Sequence, residues 1–186
     1  TALEATALVR SAGGFEVSDL RLSGGQLALA GSLSTTSDGF LDRLQLDGSI
    51  ADPSGSVVLL PIPGGATSIQ GAELSVDYGG TSGEDWTAAL TATGFSNGDL
   101  SAQTLTVSAS GVAANLADPG SRRVTFNADG RLEGLSSPDK DVVAALGDSL
   151  GIGIAGLWNA GEPIQLPQLR IVGRSLTAAL AGEIDD

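Results

Sequence analysis

The 186-residue chain has no cysteine, no histidine and no methionine, and each absence closes off chemistry. Without Cys there is neither a disulfide framework nor a thiolate metal site, and cysteine usage says nothing of the redox compartment. Without His there is no Ser-His-Asp triad, no Cys-His pair, no imidazole-built zinc site and no histidine general base. The single lysine, Lys140, stands between Asp139 and Asp141 in a setting that suits a solvated charge rather than a nucleophile. The expectation is therefore a protein that is not an enzyme, with no catalytic residue, no cofactor and no bound metal. Aromatic residues are scarce as well. They make up 4% of the chain against 41% hydrophobic residues overall, so packing falls to Leu, Val, Ile and Ala among 27 glycines. Such residues suit a thin, regular sheet better than a bulky globular core.

Basic residues number 9 against 22 acidic ones, a formal charge of −13 that repels phosphate backbones and anionic surfaces. Nucleic acid is not an expected partner. No run approaches the ~20 consecutive apolar residues of a membrane-spanning helix, so this segment is not expected to cross a bilayer. The opening Thr1-Ala2-Leu3-Glu4 has neither the charged nor the apolar region of a signal peptide. The chain reads as an interior piece of a longer secreted or periplasmic protein.

What is present is apolar alternation over short runs bounded by Gly, Ser, Asp and Pro, the period-2 signature of half-buried strands. One version, apolar-x-apolar-x-Gly-x-apolar, occurs five times. It comprises Leu27, Leu29, Gly31 and Leu33; Leu44, Leu46, Gly48 and Ile50; Val107, Ala109, Gly111 and Ala113; Phe126, Ala128, Gly130 and Leu132; and Ala178, Leu180, Gly182 and Ile184. On a strand these positions share one face. Glycine on an apolar face marks a bend, a bulge or a close backbone approach, so its recurrence predicts a curved sheet. The two ends of the chain also match each other, residues 12–22 with 160–171 allowing one added residue, as in a β-solenoid or long meander. The fold predicted is all-β: a curved, mostly antiparallel, repetitive sheet forming a groove, a single segment over 1–186.

One stretch breaks the pattern. Ser137-Pro138-Asp139-Lys140-Asp141 followed by Val142-Val143-Ala144-Ala145-Leu146-Gly147 predicts a short helix near 138–146 within a repeat unit at about 137–186. Ser137 is the expected cap, Pro138 the first helical residue and Gly147 the left-handed stop, with Val142, Val143 and Leu146 turned to the sheet. Other motifs are weaker. Gly151-Ile152-Gly153-Ile154-Ala155-Gly156 has the spacing of a dinucleotide fingerprint but lacks the strand before it and the helix after it, and reads as a Gly-rich strand. Glu84 and Asp85 beside Trp86, or Glu162 near Trp158, offer acids and rings for glycoside chemistry, yet adjacent strand residues face opposite ways. Acidic turns at Ser37-Asp38-Gly39 and Asn97-Gly98-Asp99 carry oxygen ligands without calcium-loop spacing.

In the last third a specific pattern assembles: Pro138-Asp139-x-x-Val142-x-x-Ala145-Leu146-Gly147, then Gly161-Glu162-Pro163-Ile164-x-Leu166-x-x-Leu169-x-Ile171-x-Gly173, then Leu180-x-Gly182-x-Ile184. Residues 138–184 resemble a repeat unit of the TamB family, within the wider AsmA-like group; residues 15–132 share the strand pattern with weaker motifs. The resemblance implies a β-taco, a long periplasmic groove that is apolar inside. Such a groove carries phospholipid acyl chains between inner and outer membrane and supports outer-membrane protein assembly. It also implies an inner-membrane anchor and a TamA-like outer-membrane partner, both engaged through other parts of the chain. The apolar motif residues are then the expected groove lining: Leu27, Leu29, Leu33, Leu44, Leu46, Ile50, Val107, Ala109, Phe126, Leu132, Leu180 and Ile184. Two other readings stand beside this one, a structural or adhesive β-repeat module without lipid cargo and a carbohydrate-acting β-helix.

Overall fold

The computed structural model describes residues 2–9, 13–60, 67–79 and 83–184. The first part contains β1 (Ala2–Val9), β2 (Phe15–Gly24), β3 (Leu27–Thr35), β4 (Leu41–Ala51), β5 (Val58–Leu60), β6 (Thr67–Ile69) and β7 (Gly71–Gly79). There follow β8 (Asp85–Asn97), β9 (Leu100–Ala114), β10 (Arg123–Glu133), helix α1 (Lys140–Leu146), β11 (Ser149–Asn159), β12 (Ile164–Val172) and β13 (Thr177–Ile184). Among the described residues these strands form one sheet in the order β1-β2-β3-β4-β7-β8-β9-β10-β11-β12-β13, every pair antiparallel. The sheet is open and does not close into a barrel. The all-β, curved, repetitive architecture expected from the alternation is the one observed, realised as a meander in which nearly every strand lies beside its predecessor.

Two excursions leave the meander. Between β4 and β7 the short β5 and β6 pair with each other, and β6 continues onto the end of β8 through Thr67–Asn97 and Ser68–Ser96. Between β10 and β11 stands α1. Its cap is Asp139, not Ser137: the Asp139 carboxylate accepts from the Asp141 N–H at 2.8 Å and the Val142 N–H at 3.4 Å. The Ser137 hydroxyl accepts instead from the Asp139 N–H at 3.1 Å, which places Pro138 outside the helix. A carboxylate at the cap is favoured over a hydroxyl because it meets the positive end of the helix with a full charge. Gly147 ends the helix as expected and at positive φ, 74°, but its ψ of −152° is extended and not that of a left-handed cap. The carbonyls of Ala145 and Leu146 accept from the Ser175 and Arg174 N–H groups of the β12–β13 turn, which satisfies the helix end. Of the three apolar residues expected to face the sheet, Leu146 packs against the core, while Val143 is 37% exposed.

The terminal resemblance is visible as shared backbone irregularity. β2 carries a bulge against β3 between Val17 and Leu20, and β12 carries one against β13 between Leu166 and Leu169, the corresponding sites in the sequence match. The strands they pair with are in different register: Leu20 lies opposite Gly31, whereas Leu169 lies opposite Leu180 rather than Gly182. The longer β12–β13 turn shifts the second hairpin by two residues, which keeps the same faces together. Ala12, at the start of the match, lies outside the described residues.

The five motif glycines are not equivalent. A Cβ at Gly111 would collide with the Thr125 carbonyl and stand 2.8 Å from Trp86 Nε1. One at Gly31 would meet the Gln45 carbonyl, and one at Gly48 would lie 2.6 Å from Leu29 Cδ2. At Gly130 the nearest atom is 3.8 Å away, and at Gly182 nothing lies within 4 Å. Gly31 and Gly111 are thus required by close approach to backbone, whereas at Gly48 the end of the Leu29 side chain can shift aside. Gly111→Ala is expected to lower the unfolding free energy by about 1–3 kcal/mol through overpacking. Gly130→Ala should raise it by about 0.5–1 kcal/mol through lost chain entropy. Urea unfolding monitored by circular dichroism checks both, and equal destabilisation would refute the distinction.

Candidate functional site: the apolar face of the sheet

Cross-strand register aligns the apolar residues into four rows that run across the strands on one face. An alanine row passes from Leu20 through Gly31, Leu46, Val76, Ala88, Ala109, Ala128, Ile154 and Leu169 to Leu180. Beside it a leucine row passes through Leu22, Leu29, Gly48, Leu74, Leu90, Val107, Gly130, Ile152, Ile171 and Ala178. Each of these two rows spans ten strands, or nine spacings of ~4.8 Å, a length of about 43 Å on a flat sheet.

Flanking rows differ in how they are closed. On one side an aromatic row runs Leu33, Leu44, Tyr78, Trp86, Gly111, Phe126, Gly156. Here ring and glycine alternate because the rings lie over the glycines: a Cβ at Gly156 would sit inside the Phe126 ring edge, as one at Gly111 would meet Trp86. Tyr78 is buried and its hydroxyl points to the Ala113 carbonyl at 3.5 Å; burial, then the Glu84 and Asp42 carboxylates, push its pKa upward. Beyond this row Arg122 lies 5.9 Å from the centre of the Phe40 ring, so the loops before β4 and β10 meet although three strands stand between. On a flat sheet those strands would be about 19 Å apart, and the contact shows how far this end curls and its loops reach.

On the other side a covered row runs Leu27, Ile50, Ala72, Ala92, Leu105, Leu132, Leu150. Over its middle lie the β5–β6 excursion and α1. Val58, Ile69 and Ala92 form one buried cluster, and Ala102, Leu132, Leu135 and Leu150 another, with Phe95 and Leu105 packed against both. Among the described residues both buried hydrophobic clusters lie on this margin, and Tyr78 of the aromatic row is the buried hydrophobic residue outside them. Along the alanine and leucine rows none of the described residues is buried: most are partly exposed, with Leu74 36% and Leu180 60% exposed.

The resulting surface is a trough in relief. Ala88, Ala109 and Ala128 make a low floor three strands wide, bordered by Trp86 and Phe126 on one side and by Leu90 and Val107 on the other. All twelve residues expected to line a groove share this face. Leu29, Leu46, Val107 and Ala109 lie in the open rows, Leu33, Leu44 and Phe126 in the aromatic row, and Leu27, Ile50 and Leu132 in the covered row. Leu180 and Ile184 stand on the edge strand, 60% and 51% exposed. Leu132, only 6% exposed, is core rather than surface. The motif missed Leu74, Val76, Leu90, Ile152 and Ile154, whose strands alternate without the motif glycine; plain period-2 alternation is the signal that marks them.

The opposite face is polar. Across it run Arg21, Ala30, Asp47, Ser75, Ala89, Ser108 and Asp129, and Gln45 donates to the Asp77 carboxylate at 2.9 Å. A recess of ≈ 740 Å³ lies on this face, floored by small residues between Glu4, Arg21 and Glu73. The acids weighed for glycoside chemistry serve turns instead: Glu84 accepts from the Asn115 N–H at 3.0 Å and Glu162 from the Asn159 amide at 2.8 Å. The 151–156 glycines lie within strand β11. Among the described residues no helix is long and apolar enough to cross a membrane, and no three acidic side chains converge. No known protein family, curated protein or solved structure matches the chain.

If the open rows are free of any covering layer, truncation there should be mild. Leu46→Ala is expected to lower unfolding free energy by about 1–2 kcal/mol, since the side chain is only partly buried. Leu132→Ala, in the covered cluster, should lower it by about 2–5 kcal/mol. Equal losses in thermal or urea unfolding would mean that both rows are equally enclosed.

Proposed function

We propose that this chain is a TamB-like periplasmic segment whose uncovered apolar face carries phospholipid acyl chains between the inner and outer membranes, in support of outer-membrane assembly. The observation that carries the reading is the pair of apolar rows that cross the sheet with none of their residues buried. A surface of this length would be sealed by a second sheet in a sandwich; here it is left to a removable apolar occupant. A hydrocarbon tail fits because each buried CH₂ contributes ~0.8 kcal/mol without directional contacts, so a tail can slide from strand to strand without a deep energy well. The alanine floor supplies width, and the rings and leucines supply walls. In this reading the TamA-like partner and the inner-membrane anchor are engaged through other parts of the protein, and the polar, acidic face keeps the segment soluble.

The test places a photo-crosslinking amino acid at Leu29 or Leu46, with Gln45 as the outward control, and exposes the chain to vesicles of phosphatidylethanolamine and phosphatidylglycerol. Phospholipid adducts detected by mass spectrometry at Leu29 and Leu46 but not at Gln45 are the expected result. Adducts at all three positions, or at none with the chain folded, would overturn the reading and favour a structural β-repeat module.

A further inference from the structure

Strand β11 is bulky on one face and bare on the other. Its apolar face carries Leu150, Ile152 and Ile154, while the alternate positions, on the polar face, are Ser149, Gly151 and Gly153. Nothing in the chain demands these two glycines. A Cβ at Gly151 would come no nearer than 3.8 Å to the Val172 carbonyl oxygen, and one at Gly153 no nearer than 3.5 Å to Asp129 Oδ1, both ordinary contacts. Neither glycine has a positive φ. A β-branched residue would suit the strand better at either position, so the room the glycines leave is not used by the fold. At Gly151 that room is a recess of ≈ 380 Å³ at the end of β10–β12 nearest α1. Gly151 is its floor, with Arg131 and Val172 as the cross-strand neighbours, and Arg174 and Asp148 stand beyond them at the helix end. Arg174 is held in place: its N–H donates to the Leu146 carbonyl at 2.9 Å, and its side chain lies over Gly147, where a Cβ would stand 3.1 Å from Arg174 Nε. Among the described residues neither Arg174 nor Asp148 enters an ion pair, and Arg131 gives only its Nε–H to Glu133, at 2.7 Å.

We infer that this recess binds a zwitterion of phosphodiester and ammonium, the chemistry of a glycerophosphoethanolamine, with the phosphate against Arg131 and Arg174 and the ammonium against Asp148. Arg131 and Val172 lie two strand spacings apart, about 9.6 Å between Cα atoms, so the two long arginine side chains reach one ligand over the bare floor from different strands. A tetrahedral phosphate presents oxygens in more than one plane and accepts from two such guanidinium forks at once, whereas a carboxylate has two oxygens in a single plane. The ammonium follows from charge. Arg131 and Arg174 are balanced locally by Glu133 and Asp148, and the chain carries −13 overall, so a bare anion meets a repulsion that a ligand of zero net charge does not. The same group occurs as a free ester and as a lipid headgroup. The recess lies on the face opposite the apolar rows, and its assignment does not rest on the acyl-chain reading.

The test titrates the chain with glycerophosphoethanolamine and follows its backbone amides by heteronuclear NMR. Saturable shifts centred on Gly151, Gly173 and Arg174 are the expected result. Binding should weaken about tenfold or more in Arg174→Gln, which removes a charged hydrogen-bond donor, and should be lost in Gly151→Leu, which fills the recess. Circular dichroism should show the strand content of both variants unchanged, and Arg174→Gln alone decides the matter if Gly151→Leu does not fold. Inorganic phosphate should bind about tenfold more weakly than the diester, having no group to offer Asp148. No saturable shift, shifts that persist in Arg174→Gln, or inorganic phosphate binding as tightly as the diester would overturn the inference. Vesicles containing phosphatidylethanolamine that displace the free diester identify the ligand as a headgroup, and vesicles that leave it bound identify the free ester; the recess is assigned in both cases. The probe has no acyl chain, so its binding and the lipid adducts at Leu29 and Leu46 stand or fall separately.

Discussion

The backbone hydrogen-bond ladder between sequence neighbours carries most of this fold, because none of the residues along the alanine and leucine rows is buried. In a sandwich the inner faces of two sheets hold each other; here each strand between β1 and β13 on the main path has two lateral neighbours, with a polar face largely exposed and an apolar face only partly buried. Stability is therefore close to a sum of nearest-neighbour terms, as in repeat proteins, and local damage should spread little beyond the strands that adjoin it. The small buried core under β5–β6 and α1 is the exception, the one place where side chains meet from more than one layer.

Such a ladder depends on side chains that fill one another's gaps laterally rather than from above. Large residues opposite glycines do this at Leu29–Gly48, Trp86–Gly111 and Phe126–Gly156. The arrangement lets the apolar face pack within itself and remain level enough to stay open. It also explains how so few aromatic residues suffice: Trp86 and Phe126 each cover a neighbouring strand, and the Ala88–Ala109–Ala128 floor beside them needs no ring at all. The two bulges, at corresponding places on β2 and β12, each add one residue and switch the alternation, so that Val17 shares the apolar face with Leu20 and Leu166 shares it with Leu169.

The last third shows why a sequence pattern can be specific without being catalytic. Asp139 caps α1, Leu146 reaches the buried cluster, Gly147 ends the helix, and Gly173 admits the backbone of Leu146, which a Cβ there would meet at 2.9 Å. Leu166 and Leu169 flank the bulge that sets the β13 register. Each conspicuous residue of that stretch thus has a local mechanical role in joining helix, turn and edge strand.

The sequence alone determined the strands, their two faces and the helix with its stop, because period-2 alternation and glycine or acidic residues at element ends act over a few neighbouring residues. It placed all twelve candidate lining residues on one face. The tertiary structure decided what local pattern cannot carry. Register chose which glycines are sterically required, since that depends on the residue across the strand: Gly111 lies under Trp86, whereas nothing stands over Gly182. Topology chose which part of the apolar face is covered, enclosing Leu132 beneath elements whose position cannot be deduced from alternation and leaving Leu29 and Leu46 in the open rows. Asp139 displaced Ser137 as the cap once the backbone was placed, because only the built helix fixes which side chain meets its free N–H groups.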